Sequence, residues 1–233
     1  MANITIDRFV RGARNARGTV AIIDVLRANS VMLTLFGMQT QEIVAVPTVD
    51  DAFAARLMYP SYALVGEQGG EKVNGFDYGN SPTEILDGFP GDRNVIMLTS
   101  SGTRGINAAR SADEIVIGTF LNYRACVDYL SGKEKVTLVA MGTGGSEYAV
   151  EDEKFAEAMQ LGILGKHVPF GGLLQAIMND DSVRSRFMNQ NDKRFPMEDL
   201  KYCLQLDVYD TVPRVTSRAG YPTITAGSNS GSS

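Results

Sequence analysis

Six short runs of apolar and β-branched residues punctuate the first two-thirds of the chain. They are TVAII (19–23), EIVAV (42–46), ALV (63–65), NVIML (94–98), EIVI (114–117) and KVTLVA (135–140). Runs of this length and composition predict buried strands. The segments between them carry helical spacing, at 27–38, 49–58, 103–109 and 121–130. Thr48 is a natural N-cap for the second of these, with Asp50 and Asp51 in its first turn. A longer acidic helix is expected over 147–161. Alternating strand and helix is the pattern of a layered α/β sheet.

The last third changes character. Residues 173–187 predict one helix with Asp180, Asp181, Arg184 and Arg186 on its wet side. A short helix follows at 198–204, and 207–215 reads as an extended closing piece around Pro213. No repeat and no linker interrupts the chain, so one α/β domain is expected over residues 1–224. From Thr225 the sequence TAGSNSGSS is Gly/Ser-rich and is expected to be a flexible tail outside the fold.

Composition narrows the class. A length of 233 residues suits a single domain with a large core. The net charge is −5 and the basic residues are scattered, which argues against nucleic acid as a partner. A few local Arg and Lys can still set the sign of a pocket. Cys126 and Cys203 sit in apolar stretches with no CxxC pair, which speaks for buried thiols and against structural zinc. No run approaches the roughly 18 apolar residues of a membrane span, and a cytoplasmic location is expected.

Chemistry is expected where strands end, because open α/β sheets bind ligands beyond the carboxyl ends of their strands. Four polar loops lie there. The first, DVLRANS (24–30), places Asp24 at the strand end, as metal ligand, nucleophile, base or plain N-cap. Arg27 offers a planar fork for phosphate or carboxylate, and Asn29 and Ser30 add donors. The second, GEQGGEKVNGFDYGNSP (66–82), holds five glycines and reads as an anion-approaching loop or a lid. Glu67 stands there as Asp24 does in the first, and Lys72, Asn80 and Ser81 supply a cation and neutral donors. The third, TSSGTRGI (99–106), opens a helix with Ser100, Ser101, Thr103 and Arg104, a turn able to cradle an anion or simply to cap. The fourth, AMGTGGSEYAVEDEKFAEA (140–158), brings Glu147, Glu151, Asp152 and Glu153 into a first helical turn, as dipole partners or as metal carboxylates.

Several mechanisms are missing. There is no P-loop, no Cys followed five residues later by Arg, and no paired-aspartate DxD. The lone His167 lies outside the four loops. If phosphate is hydrolysed here, carboxylates and a divalent metal must supply the Lewis acid and the activated water.

The loops in this order, with GTFLNYRAC between the third and fourth and DLKYCLQLDVYDTVPRV at the end, resemble the 2-phosphosulfolactate phosphatase family of the coenzyme M pathway. GFDYGNSP is the most specific piece, and the likeness covers nearly all of residues 15–216. The resemblance implies a three-layer α/β/α fold with a mixed sheet and a Mg²⁺-dependent phosphatase acting on a small, anionic, sulfonated phospho-acid. Carried onto this chain, Asp24 and Glu67 are the expected catalytic residues. Asp24, Glu67, Glu151 and Asp152 are the expected Mg²⁺ ligands. Arg27, Ser30, Lys72, Asn80, Ser81, Ser101, Thr103 and Arg104 are expected to bind substrate. Gln68 stands where the family usually has Arg, Ser101 where it has Asn, and no Cys is found near Met141. A binding protein that senses such a metabolite without turnover is the alternative. A homodimer is compatible with the sequence.

Overall fold

The computed structural model describes residues 3–189, 191–218 and 220–227. Its strands are β1 (Asn3–Arg8), β2 (Thr19–Ile23), β3 (Glu42–Ala45), β4 (Ala63–Gln68), β5 (Glu71–Lys72), β6 (Val95–Leu98), β7 (Glu114–Gly118), β8 (Lys135–Ala140), β9 (Arg214–Arg218) and β10 (Tyr221–Thr225). They form one mixed sheet in the order β1-β8-β2-β7-β9-β10-β3-β6-β4-β5. The helices are α1 (Phe9–Asn15), α2 (Ala28–Gly37), α3 (Val49–Met58), α4 (Pro82–Gly88), α5 (Gly102–Ala108), α6 (Tyr123–Ser131), α7 (Val150–Ile163), α8 (Phe170–Asn179), α9 (Asp181–Phe187) and α10 (Met197–Cys203). Among the described residues no helix is long and apolar enough to cross a membrane.

The sheet has two parallel wings. In one, β2 lies between β7 and β8, with β1 on the outside. In the other, β6 lies between β3 and β4. The hairpin β9–β10 joins them and is antiparallel to both, pairing β9 with β7 and β10 with β3. Three antiparallel steps in succession reverse one wing relative to the other. Each strand also turns by about 20–25° against its neighbour, and that twist accumulates across the sheet. The carboxyl ends of the two wings nonetheless meet: Ser101, beyond the end of β6, donates to the Gly142 carbonyl beyond the end of β8 at 2.8 Å.

Alternate side chains of each strand face opposite layers. Val20, Ile22, Ala45, Val65 and Met97 pack with α1, α2 and α5 between the wings. Ala21, Ile23, Val116 and Leu138 pack outward against α6 to α10. Val44, Ile96 and Leu98 pack outward against Ala52 and Ala55 of α3 and against Phe76. Helices thus cover both faces, the three-layer arrangement expected from the family resemblance.

The six expected strands are all present. The expected helix over 173–187 is broken in two. Its apolar spacing continues through the break, but Asp180 leaves the helix and caps α9, accepting from the Ser182 and Val183 N–H groups at 2.9 and 3.1 Å. The acidic helix begins at Val150, because residues 143–147 close a turn in which Thr143 N–H donates to the Glu147 carbonyl. Two elements near the N-terminus, β1 and α1, were not expected, nor was α4, which Ser81 caps from its side chain. The chain does not close at residue 215. It continues through β9 into β10, which includes Thr225, so the expected tail begins later than residue 225; positions 228–233 of it lie outside the described residues.

Candidate active site

The wings meet at a cavity of about 250 Å³. Its wall includes Asp24, Arg27, Glu67, Asn80, Ser101, Glu151 and Asp152, all expected from sequence, and Leu26, Arg186 and Phe195, which were not. Two glycines make the convergence possible. Gly66 has φ +145°, and a Cβ there would lie 1.8 Å from the Leu98 carbonyl oxygen. Gly142 has φ +68°, and its Cβ would lie 2.0 Å from the Glu147 carbonyl oxygen. Neither position accepts a side chain without moving backbone.

Four carboxylates reach this cavity in different states. Asp24 is buried and weakly held: it accepts from the Ala28 N–H at 3.3 Å, and the Gly102 N–H also faces its carboxylate. Burial pushes its carboxyl up to about 7, and the charges of Glu67 and Glu151 push the same way, against the Ala28 and Gly102 N–H groups. The plain N-cap reading of Asp24 thus rests on a long bond from the Ala28 N–H and on the nearby Gly102 N–H. Glu67 is fully engaged: Oε1 accepts from Ser100 N–H at 2.6 Å, and Oε2 from Gly70 N–H at 2.7 Å and Ser100 Oγ at 3.0 Å. Asp152 clamps two loops, accepting from Val25 N–H and from Gly142 N–H, each at 2.8 Å. Burial and the Asp24 and Glu151 charges hold its carboxyl well above the usual range, opposed by those two bonds. Glu151 pairs with Arg186 through Oε1 at 3.0 Å, while its buried Oε2 has no hydrogen-bond partner among the described residues.

The first turn of α5 was expected to cradle the substrate's anion. In the structure the site's own carboxylates take its donors: Ser100 N–H goes to Glu67, and Gly102 N–H favours the Asp24 anion. Thr103 lies beneath the cavity wall, bonded reciprocally with Thr99. Ser30 is likewise buried below it, donating to the Val25 carbonyl at 2.8 Å beside Thr119 Oγ1. Lys72 is about half exposed and stands 3.9 Å from Glu84, away from the cavity. Arg104 donates to the Ser100 and Gly144 carbonyls and lines a neighbouring cavity of about 550 Å³ with Gln68 and Asp50. Ser81 does not reach the wall; its hydroxyl donates to Asp199 Oδ1 at 2.8 Å.

The cations that do line the cavity with Asp24 are Arg27 and Arg186. Arg27 is nearly buried, pairs with Asp199 at 2.6 Å, and lies 4.8 Å from the Phe195 ring centroid. Both guanidiniums flank Phe187, at 6.0 and 5.5 Å from its centroid. The helical spacing placed Arg186 on a wet face; the break at Asp180 re-aims α9, and with it Arg186. Phe195 was hidden in the polar run NQNDKRFP, where a lone large aromatic was the available signal.

Among the described residues no group of three or more His, Cys, Asp or Glu is arranged to hold a metal ion directly. The donor set instead suits a hydrated hard cation held by one or two carboxylates and completed by ligand phosphate, the habit of Mg²⁺. Glu151 Oε2 and the buried Asn80 Oδ1, neither with a partner among the described residues, are acceptors of the right kind. Cys126 and Cys203 are free, buried and distant in role, their thiols pushed up by burial.

The sequence pattern of a family described as 2-phosphosulpholactate phosphatase matches residues 6–218. The chain is similar to a protein named "Probable 2-phosphosulfolactate phosphatase" in Thermotoga petrophila, 28% identical over 207 residues, covering 85% of this chain and 89% of the relative. A protein of the same name from Clostridium novyi is 28% identical over 226 residues, covering 89% and 91%. One from Carboxydothermus hydrogenoformans is 31% identical over 210 residues, covering 83% and 84%.

Proposed function

The chain belongs to the 2-phosphosulfolactate phosphatase family of phosphoric monoester hydrolases, and we propose that it releases phosphate from 2-phosphosulfolactate or a close 2-phospho-acid with the help of Mg²⁺ in the cytoplasm. One observation carries the reading. A single cavity sets a buried carboxyl that titrates near neutrality, Asp24, beside a partnerless Glu151 oxygen and a fixed Arg27 guanidinium. Family membership favours turnover over binding alone.

Glu151 and Asn80, whose buried side-chain oxygens have no partner among the described residues, together with Asp24, are the residues that would hold the ion or its water, while Glu67 and Asp152 hold the surrounding loops through bonds already made. Bound there, Mg²⁺ supplies positive charge against the phosphoryl oxygens and a Lewis acid for the displacement. Arg27 holds phosphoryl oxygens through the edge of its guanidinium that faces the cavity. Arg186, close to Arg27 across Phe187, takes the substrate's second acid group. Asp24 holds or releases a proton at Oδ near neutral pH, which suits it to accept one from the attacking water and return one to the leaving alkoxide. In the balanced reaction a water oxygen forms the new P–O bond, the ester P–O bond breaks, and the alkoxide leaves as the 2-hydroxy acid. Leu26 and Phe195 keep bulk water from the wall around Arg27.

The experiment is phosphate release from a panel of 2-phospho-acids, with and without a sulfonate, in Mg²⁺ and in chelator. Release that depends on Mg²⁺ and is fastest with a second anionic group is expected. Equal rates in chelator would remove the metal from the reading, and no preference for a second acid would remove Arg186 from it.

A further inference from the structure

Asp199 reads from sequence as one more acid in a first helical turn, beside Glu198. Its surroundings say otherwise. It is fully buried, and its two oxygens have different tasks. Oδ2 accepts from Arg27 Nη1 at 2.6 Å. Oδ1 accepts from Ser81 Oγ at 2.8 Å, from Thr83 Oγ1 at 2.6 Å and from Thr83 N–H at 3.2 Å. Ser81 directly follows Asn80, whose side-chain oxygen is buried, partnerless and on the cavity wall. One carboxylate therefore anchors both the guanidinium and the loop that bring Arg27 and Asn80 to the cavity.

The rest of the Arg27 environment points the same way. Nη1 also donates to the Arg194 carbonyl at 2.8 Å, and the Phe195 ring lies 4.8 Å from the guanidinium carbon. No other N–H of this guanidinium has a hydrogen-bond partner among the described residues. One end is clamped and the other end is left for a ligand. Stability alone is a poor account of such a pair, because a buried ion pair can commonly be exchanged for apolar residues at little cost to the fold. A fork that must meet phosphoryl oxygens bidentately, in contrast, needs its plane and charge fixed beforehand.

We propose that Asp199 is a positioning residue for the phosphatase reaction, acting through Arg27 to hold the guanidinium in its phosphoryl-binding pose. The proposal rests on the phosphatase reading above. Its test is a double-mutant cycle of Arg27→Met, Asp199→Asn and both together. Asparagine keeps an oxygen for Ser81 and Thr83 but removes the charge that faces Arg27.

Two readouts are taken on each variant: kcat and KM for phosphate release, and the melting-temperature rise given by inorganic phosphate. Asp199→Asn is expected to lower kcat/KM about 100-fold, the scale of a misplaced binding group, with KM rising. Arg27→Met should lose at least as much, and the double variant should match Arg27→Met within about twofold. Multiplying losses, or an Asp199→Asn protein with reduced stability but unchanged KM and kcat, would overturn the proposal. If Asp199→Asn alone does not fold, because it leaves a lone buried cation, the comparison of Arg27→Met with the double variant decides. If the wild type releases no phosphate from any panel member, the phosphatase reading itself has failed. The phosphate-induced stabilisation then still judges Asp199: equal loss in both single variants supports it, and full retention in Asp199→Asn rejects it.

Discussion

The two wings of the sheet deliver carboxylates to one cavity in opposite conditions. From the β4 side, Glu67 arrives with three short bonds from Gly70 and Ser100. From the β2 side, Asp24 arrives with a bond of 3.3 Å from Ala28 and the Gly102 N–H nearby, next to a Glu151 that has an oxygen with no partner among the described residues. Glu67 is spent on shaping the glycine loop and the start of α5. Asp24 and Glu151 keep capacity in reserve, and the site stores like charge on that side. The difference separates scaffolding from chemistry inside a single ring of acids, which composition alone treats as equivalent.

The most severe test of that division is Asp24→Asn. It keeps an acceptor for Ala28 and removes the proton chemistry, so phosphate release should fall by about 10²–10⁴-fold or more. Its melting temperature should equal or exceed that of wild type above neutral pH, since a costly buried charge is gone. An active, stable Asp24→Asn protein would move the chemistry to the other wing. Glu67→Gln should behave in the reverse manner. One amide N–H₂ must then face donors, costing roughly 1.5–3 kcal/mol of stability, the worth of hydrogen bonds to a charged group. Activity should fall less than in Asp24→Asn, and denaturant unfolding beside kinetics reads both.

The remaining expectation concerns pH. In chelator, the folded protein keeps a proton on Asp24 up to about 7, whereas the unfolded chain releases it near 3.8. Stability contributed by that proton is present below about pH 4 and lost as pH rises toward 7, by as much as about 1.4 kcal/mol per pH unit. Asp152, also raised, adds to the decline with the same sign. Melting temperatures in chelator should therefore drop from pH 5 to pH 7.5. Adding Mg²⁺ should flatten the drop, and Asp24→Asn should remove part of it. A flat profile in chelator would mean that the strand-end acids are not buried as described.

The residues legible in sequence were those that follow strands. Asp24, Arg27, Glu67 and Ser101 could be placed because a buried β-branched run announces its own end, and the ends of α/β strands are where loops converge. What could not be read was which donor each acid would meet. Glu67 and Asp24 look alike in one dimension, and only the approach of Ser100 to Glu67 tells them apart. Ser30 and Thr103 were drawn into the site by their hydroxyls, yet backbone carbonyls and a neighbouring threonine claim them in the core. Arg186, Phe195 and Asp199 were missed for a common reason. Arg186 and Asp199 come from helices after β8, and Phe195 from the loop between them, where sequence spacing does not reveal which face turns toward a cavity built by other elements.

The hairpin that joins the wings has a consequence for how the molecule comes into being. Its strands follow all the others along the chain, yet they occupy the middle of the sheet, where Thr223 pairs with Val44 and Arg214 with Val116. Until residues 214–225 are available, the short β7 and β3 strands present unpaired, largely apolar edges. Such edges invite pairing with foreign strands, and closing contacts this remote in sequence is slow. The cavity takes its final shape only once that seam is joined, so the two wings cannot present their carboxylates together before the hairpin is in place.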